Sequence, residues 1–328
     1  MRTFSGRLAI SGYATRLMTT SLERAFDLGP GAIDRARTVF GVKDSCETVN
    51  RLVRRARPGI SRSGLYQMSL NVYAFTCGWL TVPAALLLAG EKGSLTVPVP
   101  AYLIEHPKGR AIFDSGLHVE MQTDPNHRLG RLAPFHKVGF KPGEEIAARL
   151  ESLDVAPSKI DFIINSHLHF DHCGGNQQLP NAVLLIQRRE WEAGHNAELI
   201  ESVYYDPHDY DHGHQVKMID GEHDVFGDGS VVCIPTHGHT PGHQSIRVRI
   251  GADEVVMTGD ACYLRRTLDS FHLPTTMYDR EQMLESIRRL RTLRDAGAMI
   301  ITGHDPELWK TIAQAPDRLA AVRTAATA

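Results

Sequence analysis

The segment Ser166–His172 constrains this chain more than any other, because it places four metal-binding side chains within six residues. Its sequence, SHLHFDH, follows the run Asp161–Asn165, which is typical of a buried strand that ends in a polar turn. Imidazole and carboxylate groups at this density suit a divalent ion such as Zn, Mn, Fe or Co. The sequence therefore predicts a short ligand loop that a sheet holds at one end.

Three later runs of apolar residues also lead, through a glycine, to a histidine or an aspartate. The runs and the residues that follow them are 231–236 with His239, 254–259 with Asp260, and 298–303 with His304. Glycine lets the backbone turn sharply, so that the next side chain can point toward the strand ends. Because one loop cannot enclose two metal ions, these strand ends predict one site that is built from several loops.

The order of these motifs resembles that of the metallo-β-lactamase superfamily. The HxHxDH loop matches the family pattern, as do the GHTPGH element Gly238–His243 and the run Ile112–Gly116, which ends in Asp-Ser-Gly. The resemblance covers about residues 98–310. It implies an α/β (α+β) fold, the αββα sandwich, in which two mixed sheets are flanked by helices and the metals lie at one edge.

The resemblance also implies a dinuclear metal site, with Zn²⁺ as the first expectation and Fe, Mn or Co as alternatives. The implied ligands are His167, His169 and His239 for one ion, Asp171, His172 and His304 for the other, and Asp260 for both. Asp114 is expected to orient a ligand imidazole, and His243 is expected to be structural. Cys173 and Cys262 flank implied ligands, and we expect them to be small buried side chains instead of ligands.

Within the superfamily, the chain looks most like the N-acyl-homoserine lactonases. The feature that carries this likeness is Tyr263, which stands three residues after Asp260. The likeness implies a dinuclear metal-dependent hydrolase that opens the lactone ring by attack of a metal-bridging hydroxide, and so quenches quorum signals. It assigns catalytic roles to Asp171, Asp260 and Tyr263, with the Tyr263 hydroxyl stabilising the oxyanion or the departing alkoxide.

Two other functions stay open on the same residues. One is a different metal hydrolase, either a pyridoxolactonase-like enzyme or a glyoxalase II-like thioesterase. The thioesterase branch does not use the tyrosine at position 263, whereas another lactonase could. The other is a metal-storing or DNA-binding module with an inactive hydrolase domain, and the intact set of seven ligands argues against it.

The composition fits a soluble enzyme, and the resemblance implies a small-molecule lactone as its substrate. The 328 residues carry a net charge of −2, which argues against nucleic acid as a main partner. Five irregularly spaced cysteines argue for a reducing compartment, and we expect a cytoplasmic location. The chain contains no apolar run of the roughly 18 residues that span a membrane, so no membrane partner is expected. The oligomeric state stays open, with a homodimer as one alternative.

Charge divides the chain into residues 1–67, with a net charge of +7, and residues 68–328, with a net charge of −9. The boundary lies near the Pro, Gly and Ser residues of segment 58–64, which are typical of a linker. We interpret 1–67 as a basic N-terminal extension and 68–328 as the hydrolase domain. The extension resembles half of a ribbon-helix-helix antitoxin. An extended reading frame upstream of Met68 and a targeting peptide are the alternatives.

Local patterns predict three further features of residues 68–328. The pattern of segment 279–295 predicts a helix in which Asp279 caps the N-terminus, Gln282 completes a capping box and Gly297 follows the end. The apolar segment 82–90 is expected to be a core segment or a loop near the pocket. The stretch 195–223, rich in His and Tyr, is interpreted as a solvated loop, with a substrate mouth as the alternative.

We predict that deletion of residues 1–67 leaves an active enzyme, because the charge break and the linker composition separate this extension from the hydrolase segment. The measurement compares kcat/KM and the thermal midpoint of the truncated and full-length chains. An inactive or unfolded truncated chain would contradict the boundary near Met68.

Overall fold

The computed structural model describes residues 70–320, which fall within one compact unit, Met68–Ala328. The N-terminal extension, residues 1–67, lies outside the described residues, and its assignment stays a prediction. The strands are β1 (Asn71–Pro83), β2 (Ser94–His106), β3 (Gly109–Phe113), β4 (Lys137–Gly139), β5 (Phe162–Ile164), β6 (Val183–Gln187), β7 (Val216–Ile219), β8 (His223–Asp224), β9 (Val231–Pro235), β10 (Gln244–Ile250), β11 (Asp253–Met257) and β12 (Met299–Ile301).

Short helices connect most of these strands. The α-helices are α1 (Pro125–Leu129), α2 (Ile146–Glu151), α3 (Phe170–Cys173), α4 (Arg188–Ala193), α5 (Ala197–Val203), α6 (Arg265–Ser270), α7 (Arg280–Asp295) and α8 (Pro306–Trp309). The 3-10 helices are Ala84–Leu86, Val119–Gln122, Gly130–Phe135, Pro157–Lys159, Asn176–Gln178, Pro207–Asp209 and Gly259–Ala261.

The described strands form two mixed sheets. The first has seven strands in the order β4-β1-β2-β3-β5-β6-β7, and the second has five in the order β12-β11-β10-β9-β8. In the first sheet β3, β5, β6 and β7 pair in parallel, while β1, β2 and β4 pair antiparallel. In the second sheet only the β11–β12 pair is parallel. The two mixed sheets predicted from the sequence are confirmed.

Side-chain alternation along the strands builds the four layers. In β5, Ile164 packs in the core between the two sheets, while Ile163 points to the opposite face, which α2 covers. In β9, Cys233 faces the same inter-sheet core, and Val232 packs against the apolar stripe of α7. Each sheet therefore has helices on its outer face, which confirms the αββα sandwich.

Helix α7 begins where the sequence predicts, but its cap differs in one bond. The Asp279 carboxylate accepts from the backbone N–H of Gln282 at 3.0 Å, as an N-cap does. The Gln282 side chain donates to the same carboxylate instead of reaching the Asp279 backbone N–H. That N–H donates to the carbonyl of Gly238, so the start of α7 is tied to the GHTPGH element. The predicted capping box is therefore wrong in its second half.

Strand β1 is longer than the apolar pattern of residues 70–75 predicts. Its register with β2 shifts between Thr76 and Trp79, where Gly78 has a φ of +109°. This bulge interrupts the alternation that marks a strand in sequence. The strand then continues to Pro83, and in the segment that follows it Leu87 and Leu88 are buried, whereas Ala89 and Gly90 are exposed. The prediction of a core or pocket segment at 82–90 is confirmed.

The topology brings the candidate site residues to one edge. Strands β3 and β5 run parallel, so Asp114 and the HxHxDH loop leave the first sheet side by side. In the second sheet β11 and β12 run parallel, and β9 shares their direction because both β9 and β11 are antiparallel to β10. The loops that carry His239, Asp260 and His304 therefore leave the second sheet at a common edge. Among residues 70–320, no helix is long and apolar enough to cross a bilayer.

Candidate metal centre

Three histidines from both sheets point their ring nitrogens at one another. The Nδ1 atom of His169 lies 2.9 Å from Nε2 of His167 and 3.0 Å from Nε2 of His239. Together with Asp260 they form a group whose ligand atoms all lie within 4.8 Å of one another. We call this group the first cluster.

The second cluster consists of Asp171, His172 and His304, and it is equally compact. The Oδ2 atom of Asp171 lies 3.6 Å from Nε2 of both His172 and His304. All three side chains are buried. Together, the two clusters contain all seven of the ligands expected from the sequence.

The carboxylate of Asp260 lies between the two clusters. Its Oδ1 atom is 3.0 Å from Nε2 of His304 and 3.2 Å from Nε2 of His172. Its Oδ2 atom faces the first cluster, 3.3 Å from Nε2 of His239 and 3.7 Å from Nε2 of His167. One carboxylate oxygen thus faces each cluster, which is the arrangement that a bridging ligand requires.

The outer nitrogen of each histidine is already bound, and this fixes what the inner nitrogen can do. His169 Nε2 lies 2.7 Å from the carbonyl oxygen of Val203, and His304 Nδ1 lies 2.8 Å from that of Pro98. A carbonyl can only accept, so these outer nitrogens carry the protons and the inner nitrogens of the neutral rings offer lone pairs. Histidines that bind metals are held in this way in most metal sites.

Nε2 of His172 and Oδ1 of Asp260 are buried and lie 3.2 Å apart, but within residues 70–320 neither atom forms a well-directed hydrogen bond. Leaving such a group unpaired in the interior typically costs about 1–3 kcal/mol. A divalent cation between these atoms would satisfy both, and imidazole and carboxylate are ligands that zinc and its neighbours accept. The residues present therefore fit a pair of divalent ions.

The pKa values of the histidines shift in opposite directions in the two clusters. Burial holds the pKa of His167 and His239 well below the ordinary value, so both rings are neutral and can donate a lone pair at neutral pH. Burial also opposes the charged form of His172, but the carboxylates of Asp260, Asp171 and Asp114 outweigh it and raise its pKa. The second cluster is therefore the more negative environment, and it favours a cation.

Asp114 occupies the orienting position expected from the sequence. It directly follows β3 with a φ of +54°, and its Oδ2 atom accepts from Nδ1 of His172 at 2.9 Å. Its carboxylate also accepts from the backbone N–H and the hydroxyl of Ser166. Ser166 Oγ is in turn 2.9 Å from Nδ1 of His167. Asp114 thus holds one histidine of each cluster, directly for His172 and through Ser166 for His167.

His243 belongs to neither cluster, but it lies directly behind Asp260. Its Nε2 atom accepts from the backbone N–H of Asp260 at 3.0 Å, and its Nδ1 atom lies 3.0 Å from the hydroxyl of Thr236. Both ring nitrogens are therefore used. Gly259 makes this contact feasible, because a Cβ atom there would meet Nε2 of His243 at 2.9 Å. The side chain thus positions the loop that carries Asp260.

The two cysteines next to the site also lie outside both clusters. The thiol of Cys173 donates to the carbonyl of His169, and that of Cys262 donates to the carbonyl of Leu264. Burial raises the pKa of both thiols, which disfavours the thiolate form that binds metals. They pack as small buried side chains, as expected.

Tyr263 lies between the two clusters at the base of a cavity. Its hydroxyl is 3.2 Å from Nδ1 of His239, and its ring packs against that of His304 with a centroid distance of 5.7 Å. Burial, reinforced by Asp260 and Asp171, raises the pKa of the phenol, so the hydroxyl keeps its proton and can donate.

The cavity above the clusters has a volume of about 290 Å³ and mostly apolar walls. One wall comes from the β1–β2 hairpin and includes Leu80, Leu87 and Val97. Phe135 and Tyr204 also line the cavity.

The interpretation of stretch 195–223 as a solvated loop is wrong, because it forms α5 and β7 and buries Tyr205 and Tyr210. It contributes Tyr204 to the cavity, while its histidines are absent from the lining residues.

Sequence reasoning missed the residues that hold the histidines from outside. Glu190 is wholly buried and binds both ligand loops, yet in sequence it is one charged residue of the ordinary helical stretch Arg188–Ala193. Val203 and Pro98 act through their carbonyl oxygens, which every residue type possesses. No sequence signal could have found these two.

Comparison with known proteins identifies relatives of this chain. Residues 95–304 match the family model described as the metallo-beta-lactamase superfamily. A protein of Azorhizobium caulinodans, named N-acyl homoserine lactonase AttM, is 34% identical over 237 residues, which cover 69% of this chain and 89% of that protein. N-acyl homoserine lactonase AiiA of Bacillus thuringiensis subsp. kurstaki is 30% identical over 227 residues, covering 68% of this chain and 87% of the relative.

Solved structures agree with this result. An N-acyl homoserine lactone hydrolase, with the product N-hexanoyl-L-homoserine at its catalytic metal centre, superposes with a TM-score of 0.69 at 27% identity. The match covers 76% of this chain and 99% of that one. AidC, a dizinc quorum-quenching lactonase, superposes with a TM-score of 0.55 at 16% identity. This match covers 72% of this chain and 88% of AidC, and at this identity it supports the fold alone.

We predict that the chain binds two Zn²⁺ ions and that His239→Ala loses the ion of the first cluster, whereas His243→Ala keeps both. The His243 side chain cannot bind a metal in this geometry, because both of its ring nitrogens are hydrogen-bonded. Its loss, however, leaves the Asp260 N–H unpaired and opens a small cavity. The free energy of unfolding of the metal-free protein should fall by about 2–4 kcal/mol in His243→Ala. Metal analysis after dialysis and urea unfolding measure these effects. Loss of an ion from His243→Ala would make it a ligand.

Proposed function

The chain belongs to the metallo-β-lactamase superfamily, and on that premise we propose that it is a dinuclear metal hydrolase that opens N-acyl homoserine lactones. The observation that carries the proposal is the carboxylate of Asp260, which turns one oxygen to each cluster at the base of an apolar cavity. Two cations at this place suit hydrolysis of a carbonyl compound, and the apolar walls suit a substrate with a hydrocarbon tail.

The residues of the site have separate tasks in this proposal. His167, His169 and His239 would hold one ion, Asp171, His172 and His304 would hold the other, and Asp260 would contact both. When bound, the two ions would supply a hydroxide at neutral pH and polarise the lactone carbonyl. We take Zn²⁺ as the ion, since it suits histidine and carboxylate ligands, with Fe, Mn or Co as alternatives.

Tyr263 completes the site as a hydrogen-bond donor. Its hydroxyl lies 3.2 Å from Nδ1 of His239 and can accept from that N–H when Nε2 holds a metal, which leaves the hydroxyl proton available for donation. The hydroxyl lies among residues that line the cavity, close to both clusters. It can therefore donate to the oxygen on which negative charge grows during ring opening.

The cavity supports an acylated lactone over the other candidate substrates. Eight of its lining residues are leucine, valine or phenylalanine: Leu80, Val82, Leu86, Leu87, Val97, Leu132, Phe135 and Phe170. Burial of an acyl chain against them stabilises the complex by about 0.8 kcal/mol for each methylene group. A compact polar pyridoxine-derived lactone would leave this surface unused. The presence of Tyr263 disfavours the thioesterase alternative.

A cytoplasmic location fits the same proposal. The five cysteines of the chain are odd in number and irregularly spaced, as in proteins of reducing compartments. The four cysteines within the described residues, Cys77, Cys173, Cys233 and Cys262, are buried free thiols. Lactone hydrolysis in this compartment would remove quorum signals from the cell interior.

A panel of substrates tests the proposal directly. We expect kcat/KM for N-decanoyl-L-homoserine lactone to exceed the values for an unacylated lactone and for an acyl thioester, because the first substrate alone offers both the ring and the tail. Phe135→Ala should raise KM for the decanoyl lactone about tenfold, since the exposed ring lines the cavity. Met218→Ala, an exposed apolar residue outside the cavity, is the control. Preference for the thioester would refute a lactonase.

We predict that Tyr263→Phe lowers kcat on lactones about tenfold while the metal content stays at the parent level. Loss of a principal oxyanion donor typically costs 10²–10³ in kcat, and here a metal shares the task, so the effect should be smaller. A thioester should be affected less, because a thiolate leaves more readily than an alkoxide. The measurement is kcat on matched lactones and thioesters, with metal analysis of each sample. Unchanged kcat on every lactone would make Tyr263 a packing residue.

A further inference from the structure

Glu190 is a buried carboxylate whose four hydrogen bonds connect the segments that carry the first cluster. It lies on α4 with no exposed surface. Its Oε1 atom accepts from the backbone N–H of Leu168 at 3.1 Å and from the hydroxyl of Tyr205 at 2.6 Å. Its Oε2 atom accepts from the hydroxyl of Thr240 and the backbone N–H of Gly242, both at 2.8 Å. Each oxygen therefore has two donors.

The four donors belong to the segments that carry His169 and His239 or that hold the ring of His169. Leu168 stands between His167 and His169 in the HxHxDH loop. Thr240 directly follows His239 in the GHTPGH element. Tyr205 stands two residues after Val203, whose carbonyl binds the outer nitrogen of His169. One carboxylate thus fixes the two ligand loops and also the segment whose Val203 carbonyl orients the ring of His169.

The contact between α4 and the GHTPGH element leaves no space for adjustment. A Cβ atom at Gly242 would lie 2.2 Å from the backbone nitrogen of Glu190. The element therefore rests with its backbone directly on the start of α4. Among residues 70–320 no salt bridge to Glu190 is found, so neutral donors alone compensate its burial. Burial raises the pKa of this carboxyl, and the four donors oppose the rise.

We propose that Glu190 is the positioning residue of the first cluster, which sets the distance between His169 and His239 and thereby the affinity of that cluster for its metal ion. The inference rests on the proposed metal centre. Glu190 has no hydrogen bond to any residue of the second cluster, so its effect should be confined to one of the two ions. Partners that orient metal ligands typically contribute 10–100-fold to metal affinity.

Glu190→Gln is the sharpest test, because it keeps the size of the side chain. In either orientation the amide NH₂ faces a backbone N–H, that of Leu168 or that of Gly242, and two donors then oppose each other. The hydroxyls of Tyr205 and Thr240 can rotate to accept, whereas the backbone groups cannot. The two loops should therefore separate slightly at the first cluster.

The affinity of each cluster for Zn²⁺ is measured alone by competition with a chromophoric chelator. In a His304→Ala background, which disables the second cluster, Glu190→Gln should weaken Zn²⁺ binding about 10–100-fold. In a His239→Ala background, which disables the first cluster, the same substitution should leave Zn²⁺ binding unchanged. An equal effect on both clusters, or none on the first, would overturn the proposal.

Gln187→Leu is the matched control for a purely structural role. Gln187 is also buried, lies three residues before Glu190 and makes three hydrogen bonds, to Gly221 and Gln244. Its loss should lower the thermal midpoint of the metal-free protein while Zn²⁺ affinity at the first cluster stays at the parent value. If Gln187→Leu weakens the first cluster as much as Glu190→Gln does, Glu190 stabilises the fold only.

Tyr205→Phe is the second variant, for use if Glu190→Gln does not fold. It removes a single neutral donor and should weaken Zn²⁺ binding at the first cluster a few-fold, and an unchanged affinity would overturn the proposal.

The parent chain separates this inference from the proposed function. A parent chain that binds two Zn²⁺ ions but hydrolyses no lactone refutes the proposed function and leaves the Glu190 inference intact. A parent chain that binds no divalent metal ion refutes both.

Discussion

The burial of the Asp260 carboxylate between five imidazole rings is the constraint on which the rest of the molecule depends. A buried carboxylate is unfavourable unless its oxygens are paired, and each oxygen here faces the ligand nitrogens of a different cluster, where a bound cation would pair it. No single loop can surround one carboxylate in this way. The arrangement requires two sheets whose strand ends meet at one edge, because the first sheet supplies the HxHxDH loop and the second supplies His239, Asp260 and His304. The sandwich fold brings the two sheet edges together and thereby places the ligand loops of both sheets around Asp260.

The parts of this site that were predictable from the sequence are those with a local pattern. A strand that is followed by metal-binding side chains, in three of four cases through a glycine, is visible in the sequence, and all four such places led to site residues. His243 shows the limit of this reasoning. Its structural role was predicted from the motif alone, whereas its bond to the Asp260 N–H depends on two loops that lie 17 residues apart. The cap of α7 shows the same limit, since the Asp279 N–H binds Gly238 instead of the Gln282 side chain.

The outer contacts of the site were not predictable, for two different physical reasons. The carbonyl oxygens of Val203 and Pro98 fix the tautomers of His169 and His304, and a carbonyl carries no information on residue type. Glu190 does have an identity, but a glutamate on a short, charged helix is by default an exposed residue. Only the packing of α4 against Gly242 shows that this glutamate is buried. The second half of β1 was missed for another reason. The bulge at Gly78 interrupts the side-chain alternation by which a strand is recognised in sequence.

Chemistry and substrate selection are held by different parts of the fold. The clusters are fixed by buried hydrogen bonds from several elements, whereas much of the cavity wall comes from the end of the β1–β2 hairpin and the 3-10 helix Gly130–Phe135. The hairpin end is tied to segment 271–276 through Ala89 N–H to Leu273 and through Thr275 to Ala85, not to any ligand loop. A change at the hairpin end or in that 3-10 helix can therefore alter which substrate fits without breaking a bond to a ligand histidine. Val97 and Tyr204 differ, because they stand next to Pro98 and Val203, whose carbonyls hold His304 and His169. This separation explains physically how one metal centre can serve many substrates on the same fold, since the bonds that fix the ligands and the contacts that select the tail share few residues.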